Sequence, residues 1–174
     1  RVHPDKGCGL IVNCAKRLNE IGYKDRFVVD FYGPIDKDYN DFRTIISDVN
    51  NVTYKGFLNM KEHAGYDTLA SYDVMLFPTY WMGEGFPGVV IDAYIAGLPI
   101  IATNWNCNEE VVDDKTGIII PHHNEEALLE AMKRVIDNEY DLNEMTKECQ
   151  KRATQYDTRV VLSVENLKKI GFYK

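Results

Sequence analysis

The stretch Glu84-Gly85-Phe86-Pro87-Gly88-Val89-Val90-Ile91-Asp92-Ala93 decides how this chain is expected to fold. It places one acid on a tight Gly/Pro turn, begins a helix directly after the turn and puts a second acid inside that helix. The run 73–78 before it has the composition of a short buried strand, and the run 95–103 after it indicates a helix end, a turn and another strand. A strand, a glycine-bearing loop and a helix N-terminus form a phosphate site, because free backbone N–H groups point at the ligand. The two acids suit hydroxyl groups, so the stretch indicates a nucleotide sugar as ligand.

Apolar residues recur at helical or strand spacing along the whole chain. Strands are predicted at 26–32, 51–54, 74–77, 100–103 and 117–120. Helices are predicted at 6–20, 39–48, 60–71, 88–96, 125–138, 142–155 and 159–170, with a helical turn near 109–112 and Asn124 as an N-cap. This alternation predicts an α/β fold: a Rossmann-like, doubly wound parallel sheet with helices on both faces, formed by a single domain over 1–174. Ligands of such sheets bind at the carboxyl ends of the strands, so the loops at Gly33-Pro34, Pro78-Thr79 and Glu84 are expected to meet in one crevice.

The composition limits the kinds of molecule that this chain is expected to bind. The chain has 174 residues, 45% hydrophobic and 27% charged, with a net charge of −7, which argues against a nucleic-acid binder. A run of about 18 apolar residues is absent from the sequence, so no membrane span is predicted. The four cysteines form no CxxC pair and are expected to be reduced thiols of a cytoplasmic protein. The pair His122-His123 is interpreted as exposed loop, and no metal site is predicted.

Several segments, in order along nearly the whole chain, resemble the donor-binding C-terminal domain of retaining glycosyltransferases of the GT-B fold, family 4 (glycosyl transferases group 1). The stretch 84–92 resembles the family's E-x7-E motif, and 84–103 resembles the text around that motif. The start, Arg1-Val2-His3-Pro4-Asp5-Lys6-Gly7, resembles its R-x(3–5)-K-G element. Further similar segments lie at 32–34, at 54–57 and at Thr116-Gly117 before Pro121. One departure is clear: Asp92 stands where the motif has its second Glu, and its side chain is one methylene shorter.

The resemblance implies a role for each matching residue. Arg1 and Lys6 would hold the donor diphosphate, Glu84 the donor sugar, and Asp92 the ribose hydroxyls. The donor-sugar and distal-phosphate pocket would be lined by the backbone of Gly85, Phe86, Pro87, Gly88 and Val89. The nucleobase side would be lined by Gly56, Phe57 and Leu58, and Gly33 would also belong to the donor site. The resemblance implies no metal cofactor, and nothing in these residues chooses between a UDP, GDP or ADP sugar.

The resemblance also implies that the chain is one half of a longer enzyme. The acceptor would be bound by an N-terminal domain absent from this chain, and the domain alone would turn over poorly. The full enzyme would transfer a hexose with retention in polysaccharide biosynthesis, in the cytoplasm or at the inner face of the membrane. Two alternatives remain open: a nucleotide-sugar epimerase of GT-B fold, and a degenerate, non-catalytic interaction domain. The apolar helix predicted at 159–170 either packs on its own sheet or drives self-association of the chain.

Overall fold

Five short parallel strands carry the fold in the computed structural model, which describes residues 1–172. The strands are β1 (Val29–Tyr32), β2 (Val52–Gly56), β3 (Met75–Phe77), β4 (Ile100–Thr103) and β5 (Gly117–Ile120). β1 pairs with β2, while β3, β4 and β5 form a second group in that order, and each pairing is parallel. The predicted α/β class with parallel strands flanked by helices is confirmed. The strands form two separate groups, however, where the sequence predicted one sheet.

Helices connect the strands. They are α1 (Cys8–Glu20), α2 (Phe42–Ile46), α3 (His63–Leu69), α4 (Gly88–Ile95), α5 (Asn108–Val111), α6 (Glu125–Ile136), α7 (Leu142–Ala153), α8 (Thr158–Val161) and α9 (Val164–Lys169). Short 3-10 turns lie at Pro4–Lys6, Lys37–Tyr39 and Thr154–Tyr156. The predicted N-cap of α6 is confirmed, since the side chain of Asn124 accepts a hydrogen bond from the Ala127 amide at 2.9 Å.

Two apolar cores lie on opposite faces of the strands. The first joins α1 and α6 to β1 and includes Leu18, Phe31 and Leu128. The second joins α4 and α7 to β3–β5. β4 serves both cores because its side chains alternate in direction: Ile101 belongs to the first core, whereas Ile100 belongs to the second. The strands that position the site are therefore held between two helical layers.

The last predicted helix, 159–170, is wrong as a single element. The chain forms α8 and α9 instead, separated at Leu162 and Ser163. Ser163 is extended and its hydroxyl accepts from the Asn166 amide, so it caps α9 and ends the preceding turn. The valine and leucine side chains here lie 46–59% exposed at Val160, Val161, Leu162 and Val164. Of the two alternatives for this segment, the structure shows exposed apolar surface, while self-association through that surface stays a prediction.

The four cysteines are free within the described residues 1–172, and they differ in burial. Burial raises the pKa of Cys8, and it raises the pKa of Cys14 and of Cys149 to about 12. These thiols therefore stay neutral at pH 8, whereas Cys107 is partly exposed. In a titration of the native protein with a thiol-specific chromogenic reagent, we expect about one thiol per chain to react promptly, with the others reacting only after denaturation. Prompt reaction of three or four thiols in the native protein would contradict this burial.

Candidate functional site

A cleft of about 1120 Å³ runs along β1 and β3, from the residues before β1 to the carboxyl ends of both strands. Gly33-Pro34 and Glu84 line it, as the position of strand ends predicts, whereas Pro78 and Thr79, expected in the same crevice, are outside its lining in the described part of the chain. The cleft lining includes most of the predicted site residues: Arg1, Lys6, Gly33, Phe57, Leu58, Glu84, Gly88, Val89 and Asp92. The structure therefore brings together residues that lie up to 91 positions apart in the sequence.

The first seven residues cross the cleft from the end of β1 to the end of β3. The Val2 amide donates to the Pro34 carbonyl at 2.9 Å, and the Tyr80 amide donates to the Asp5 carbonyl at 2.8 Å. Gly33 has a positive φ of 109°, and a side chain there would meet the backbone nitrogen of Arg1 at 2.8 Å. Glycine at this position therefore allows the segment that carries Arg1 and Lys6 to lie close against the strand end.

Lys6 and Glu84 form an ion pair at the centre of the site. Their side chains are only 18% and 12% exposed, so the pair is largely removed from water. Oε2 of Glu84 also accepts from the Thr79 hydroxyl at 3.0 Å, and the Glu84 carbonyl accepts from the Asn106 amide at 2.7 Å. These contacts hold the Glu84 carboxylate in position on its loop. The ion pair places the Lys6 ammonium in the same part of the cleft.

The basic groups of residues 1–7 lie close to the ring of Trp81. The Lys6 ammonium lies 4.6 Å from the ring centroid, and the Arg1 guanidinium lies 5.2 Å from it. The His3 ring stacks on the same indole at 5.1 Å with an interplanar angle of 16°. Aromatic faces attract cations, so Trp81 holds two positive groups at one wall of the cleft. The sequence reasoning missed Trp81, although an indole three residues before Glu84 was a visible signal.

Two helices begin at the cleft without a side-chain cap. Gly7 precedes α1 with a φ of 72°, and Pro87 precedes α4; neither helix start has a side-chain cap hydrogen bond in the described part of the chain. Cys8 of α1 and Gly88 of α4 both line the cleft. The free amides and the helix dipoles add positive potential beside Arg1 and Lys6. The arrangement suits an anion such as a diphosphate.

Asp92 lies one turn inside α4, and its carboxylate is hydrogen-bonded by a residue outside the motif. The Tyr66 hydroxyl donates to its Oδ1 at 3.0 Å. Burial raises the pKa of Tyr66, and the hydrogen bond to Asp92 raises it further, so the hydroxyl stays a donor at neutral pH. Oδ2 takes no part in that bond. Tyr66 was also missed, because nothing in its local sequence connects it with a residue 26 positions away.

Four of the predicted donor-site residues do not line the cleft in the described part of the chain. They are Gly56, Gly85, Phe86 and Pro87. The Phe86 ring turns towards Tyr156, with centroids 5.4 Å apart. Phe57 lines the mouth of the cleft and is 76% exposed.

Three further findings concern metal ions and membranes. Within residues 1–172, no group of three or more His, Cys, Asp or Glu side chains is placed to hold a metal ion. His122 and His123 are exposed on a loop, as predicted. None of the described helices has the length and apolar character needed to cross a membrane.

The sequence matches the family model "Glycosyl transferases group 1" over residues 1–138. The chain belongs to that family. Two curated relatives match part of it. A galactosyltransferase of Escherichia coli, named UDP-Gal:alpha-D-GlcNAc-diphosphoundecaprenol alpha-1,3-galactosyltransferase, is 33% identical over 85 residues, 48% of this chain and 21% of its own. An uncharacterised 41.2 kDa protein in the cps region of Klebsiella pneumoniae is 34% identical over 83 residues, 47% of this chain and 22% of its own.

Solved structures share the fold of this glycosyltransferase family member. HepE of Anabaena, solved in complex with UDP, matches 99% of this chain and 47% of its own with a TM-score of 0.79 and 16% identity. Sucrose-phosphate synthase of Thermosynechococcus elongatus matches 98% of this chain and 43% of its own, with a TM-score of 0.75 and 19% identity. The chain therefore spans less than half the length of these proteins, and about a fifth of the curated relatives is matched.

Proposed function

We propose that this chain is the donor-binding part of a retaining glycosyltransferase that uses a nucleoside-diphosphate hexose. The observation that carries the proposal is the convergence of Arg1, Lys6 and two uncapped helix starts on one cleft beside Glu84. Positive groups there suit a diphosphate, and a carboxylate beside them suits sugar hydroxyls or positive charge at the anomeric carbon. Membership of the family makes sugar transfer the reaction to test first.

In the proposed reaction the bond between the anomeric carbon and the diphosphate oxygen breaks. A bond to an acceptor hydroxyl oxygen forms on the same face, and the acceptor proton passes to the departing diphosphate. Arg1 and Lys6 stabilise the charge that develops on the diphosphate, Arg1 with a planar fork and Lys6 with a mobile ammonium. The acceptor would be held by a further domain of a longer enzyme, which explains why the chain alone is expected to bind donor without efficient turnover.

The curated relatives guide the choice of donor and pathway. The E. coli relative's name gives UDP-galactose as donor and a diphosphoundecaprenol-linked sugar as acceptor, and the Klebsiella relative is named for the cps region. We therefore propose a UDP-hexose as donor and cell-surface polysaccharide assembly, at the cytoplasmic side of the membrane, as the process.

The experiment that tests this function mixes the chain with UDP-galactose or UDP-glucose without acceptor and follows both by NMR. We expect broadening of the donor signals, which reports binding, with the sugar nucleotide intact over hours. Formation of an epimeric sugar nucleotide would favour an epimerase of the same fold and overturn the transfer proposal. Absence of broadening for either donor would favour a domain that no longer binds nucleotide sugars.

Asp92 is expected to distinguish a ribose from a 2′-deoxyribose despite its short side chain. A hydrogen bond to a charged group contributes about 1.5–3 kcal/mol, so the native chain should bind UDP roughly tenfold or more tightly than 2′-deoxy-UDP. Asp92→Ala should bind both nucleotides equally, whereas Asp67→Ala, at an exposed position on α3, should keep the native ratio. Titration of the three proteins with both nucleotides measures this ratio, and the native ratio in Asp92→Ala would mean that Asp92 does not contact the ribose.

A further inference from the structure

The loop after β4, residues 104–107, holds the loop that carries Glu84. The Trp105 indole N–H donates to the Trp81 carbonyl at 2.8 Å, and the Asn106 side-chain amide donates to the Glu84 carbonyl at 2.7 Å. The Glu84 backbone amide donates to the same Trp81 carbonyl at 2.9 Å, which closes a turn. Two neighbouring side chains of one loop therefore hold both ends of the turn that places Glu84.

Few other contacts hold the backbone around Glu84. In the described part of the chain, no hydrogen bond is found for the backbone groups of Met82, Gly83, Gly85 or Phe86. The Met82 side chain is 81% exposed, and a side chain added at Gly85 would meet nothing within 4 Å. A segment with so few contacts is easily displaced. The backbone position of Glu84 therefore depends on the bonds from the 104–107 loop.

The 104–107 loop is itself firmly attached to the strands. The Asn104 backbone amide donates to the carbonyl of the last β5 residue at 2.8 Å. The fully buried Asn108 side chain donates to the Thr103 carbonyl, at the end of β4, at 3.0 Å. Asn106 has a positive φ of 48°, a left-handed conformation that asparagine adopts more readily than most residues. The ends of β4 and β5 thus support the loop that holds Glu84.

The Glu84 carboxylate is held at one oxygen. Oε2 pairs with the Lys6 ammonium and accepts from the Thr79 hydroxyl at 3.0 Å, whereas no hydrogen bond to Oε1 is found within residues 1–172. In the proposed donor complex Lys6 also faces the diphosphate, so two anions share its charge. The bond from Asn106 to the Glu84 carbonyl does not involve the carboxylate, so a sugar can bind the carboxylate without breaking it.

We propose that Asn106, together with Trp105, is a positioning residue that holds the Glu84 carboxylate where the donor sugar meets it. The inference rests on the proposed function, which supplies the ligand. Arg1 and Lys6 reach the diphosphate from a different segment of the chain, at the start of the sequence. Loss of the Asn106 bond should therefore weaken binding of the sugar part of the donor and leave binding of UDP unchanged.

The test compares Asn106→Gly with Asn138→Gly. Both asparagines are exposed and have a positive φ, 48° and 58°, so glycine keeps the backbone conformation and removes only the side chain. Asn138 follows α6 and lines the cleft at the end away from Glu84, where the Arg26 guanidinium donates to the Ile136 carbonyl at 3.0 Å. It is therefore the matched control.

Isothermal titration with UDP, UDP-glucose and UDP-galactose gives the affinity for each hexose donor relative to UDP. In Asn106→Gly we expect this ratio to fall by about fivefold for the better-bound donor, as for the loss of one hydrogen bond. The affinity for UDP should stay within a factor of about two, and Asn138→Gly should keep the native ratio. In a Glu84→Ala background, Asn106→Gly should cause no further fall, because Asn106 acts through Glu84.

A second measurement needs no ligand. Nuclear spin relaxation gives the order parameter of the Glu84 backbone amide, which we expect near 0.85 in the native chain and below about 0.6 in Asn106→Gly. Trp105→Phe should lower the same order parameter, because it removes the indole donor and keeps an aromatic ring beside His122.

Three results would overturn the inference: a native ratio in Asn106→Gly, an equal loss of affinity for UDP and for the hexose donors, or a full further fall in the Glu84→Ala background. The second of these would show a general structural effect. If the native chain binds none of the nucleotides, the proposed function fails and the order parameter decides. A native order parameter in Asn106→Gly then overturns the positioning of Glu84, and a lowered one supports it.

Discussion

Lys6→Ala is expected to weaken nucleotide binding by about 10- to 150-fold, because a hydrogen bond to a charged group contributes about 1.5–3 kcal/mol. Lys6 lies between Glu84 and the Trp81 ring, and it is only 18% exposed, so water screens its charge weakly. In the proposed donor complex, the substitution removes the cation that faces the diphosphate and leaves the Glu84 carboxylate to repel that anion. Quenching of tryptophan fluorescence during titration with UDP measures the loss, since Trp81 lines the cleft.

Lys16→Ala provides the matched control, since Lys16 is exposed on α1 and loses the same charge away from the cleft. Its affinity for UDP should stay within a factor of about two of the native value, as is usual for exposed single charges. The double variant Lys6→Ala/Glu84→Gln separates two causes of weaker binding, the loss of the Lys6 cation and the repulsion by the unpaired Glu84 carboxylate. Partial recovery of affinity would attribute part of the loss to the unpaired Glu84. Native affinity in Lys6→Ala itself would remove Lys6 from the donor site.

Gly7→Ala is expected to destabilise the chain by roughly 2–5 kcal/mol, the sum of a left-handed backbone and an overpacked contact. Gly7 has a φ of 72°, and a side chain there would lie 2.3 Å from the backbone oxygen of Pro78. Because this contact ties the first segment to the end of β3, relief of the clash also displaces Lys6. We therefore expect a lower midpoint in urea unfolding and weaker UDP binding in the same variant.

Gly22→Ala isolates the backbone part of that effect, so the difference between the two variants gives the packing part. Gly22 also has a positive φ, of 93°, but nothing lies within 4 Å of the added atom in the described structure. Its cost should be about 1–2 kcal/mol, from the backbone alone. Equal destabilisation by the two substitutions would mean that the Gly7 contact with Pro78 has no energetic weight.

The fold could be predicted where the sequence carries a strong periodic signal with clear ends. The strands 100–103 and 117–120 agree with β4 and β5 because apolar runs there are bounded by Pro99, Asn104, Thr116 and Pro121. The break between α8 and α9 could not be predicted from hydrophobicity, because valines continue through it and the decisive event is a capping bond by Ser163. Separation of the strands into two groups also has no local signal, since it depends on which edges meet in space.

The candidate site could be predicted in its residues but not in its contacts. Motif resemblance identified Arg1, Lys6, Glu84 and Asp92, and all four line one cleft. The ion pair of Lys6 with Glu84 joins residues 78 positions apart, and only the packing of the first segment across the strand ends brings them together. The contact of Tyr66 with Asp92 depends on the same packing and lay beyond what spacing along the chain indicates, whereas Trp81, three residues before Glu84, carried a visible signal.

Isothermal titration of the chain with UDP, GDP and ADP, each with magnesium and with a chelator, tests the central claim most directly. The claim is that the cleft binds a nucleoside diphosphate through Arg1, Lys6 and two helix starts. It predicts one binding event per chain, preferably with UDP, with the same affinity in both buffers. The claim would be contradicted by the absence of heat for all three nucleotides in a folded sample, or by binding that appears only with magnesium.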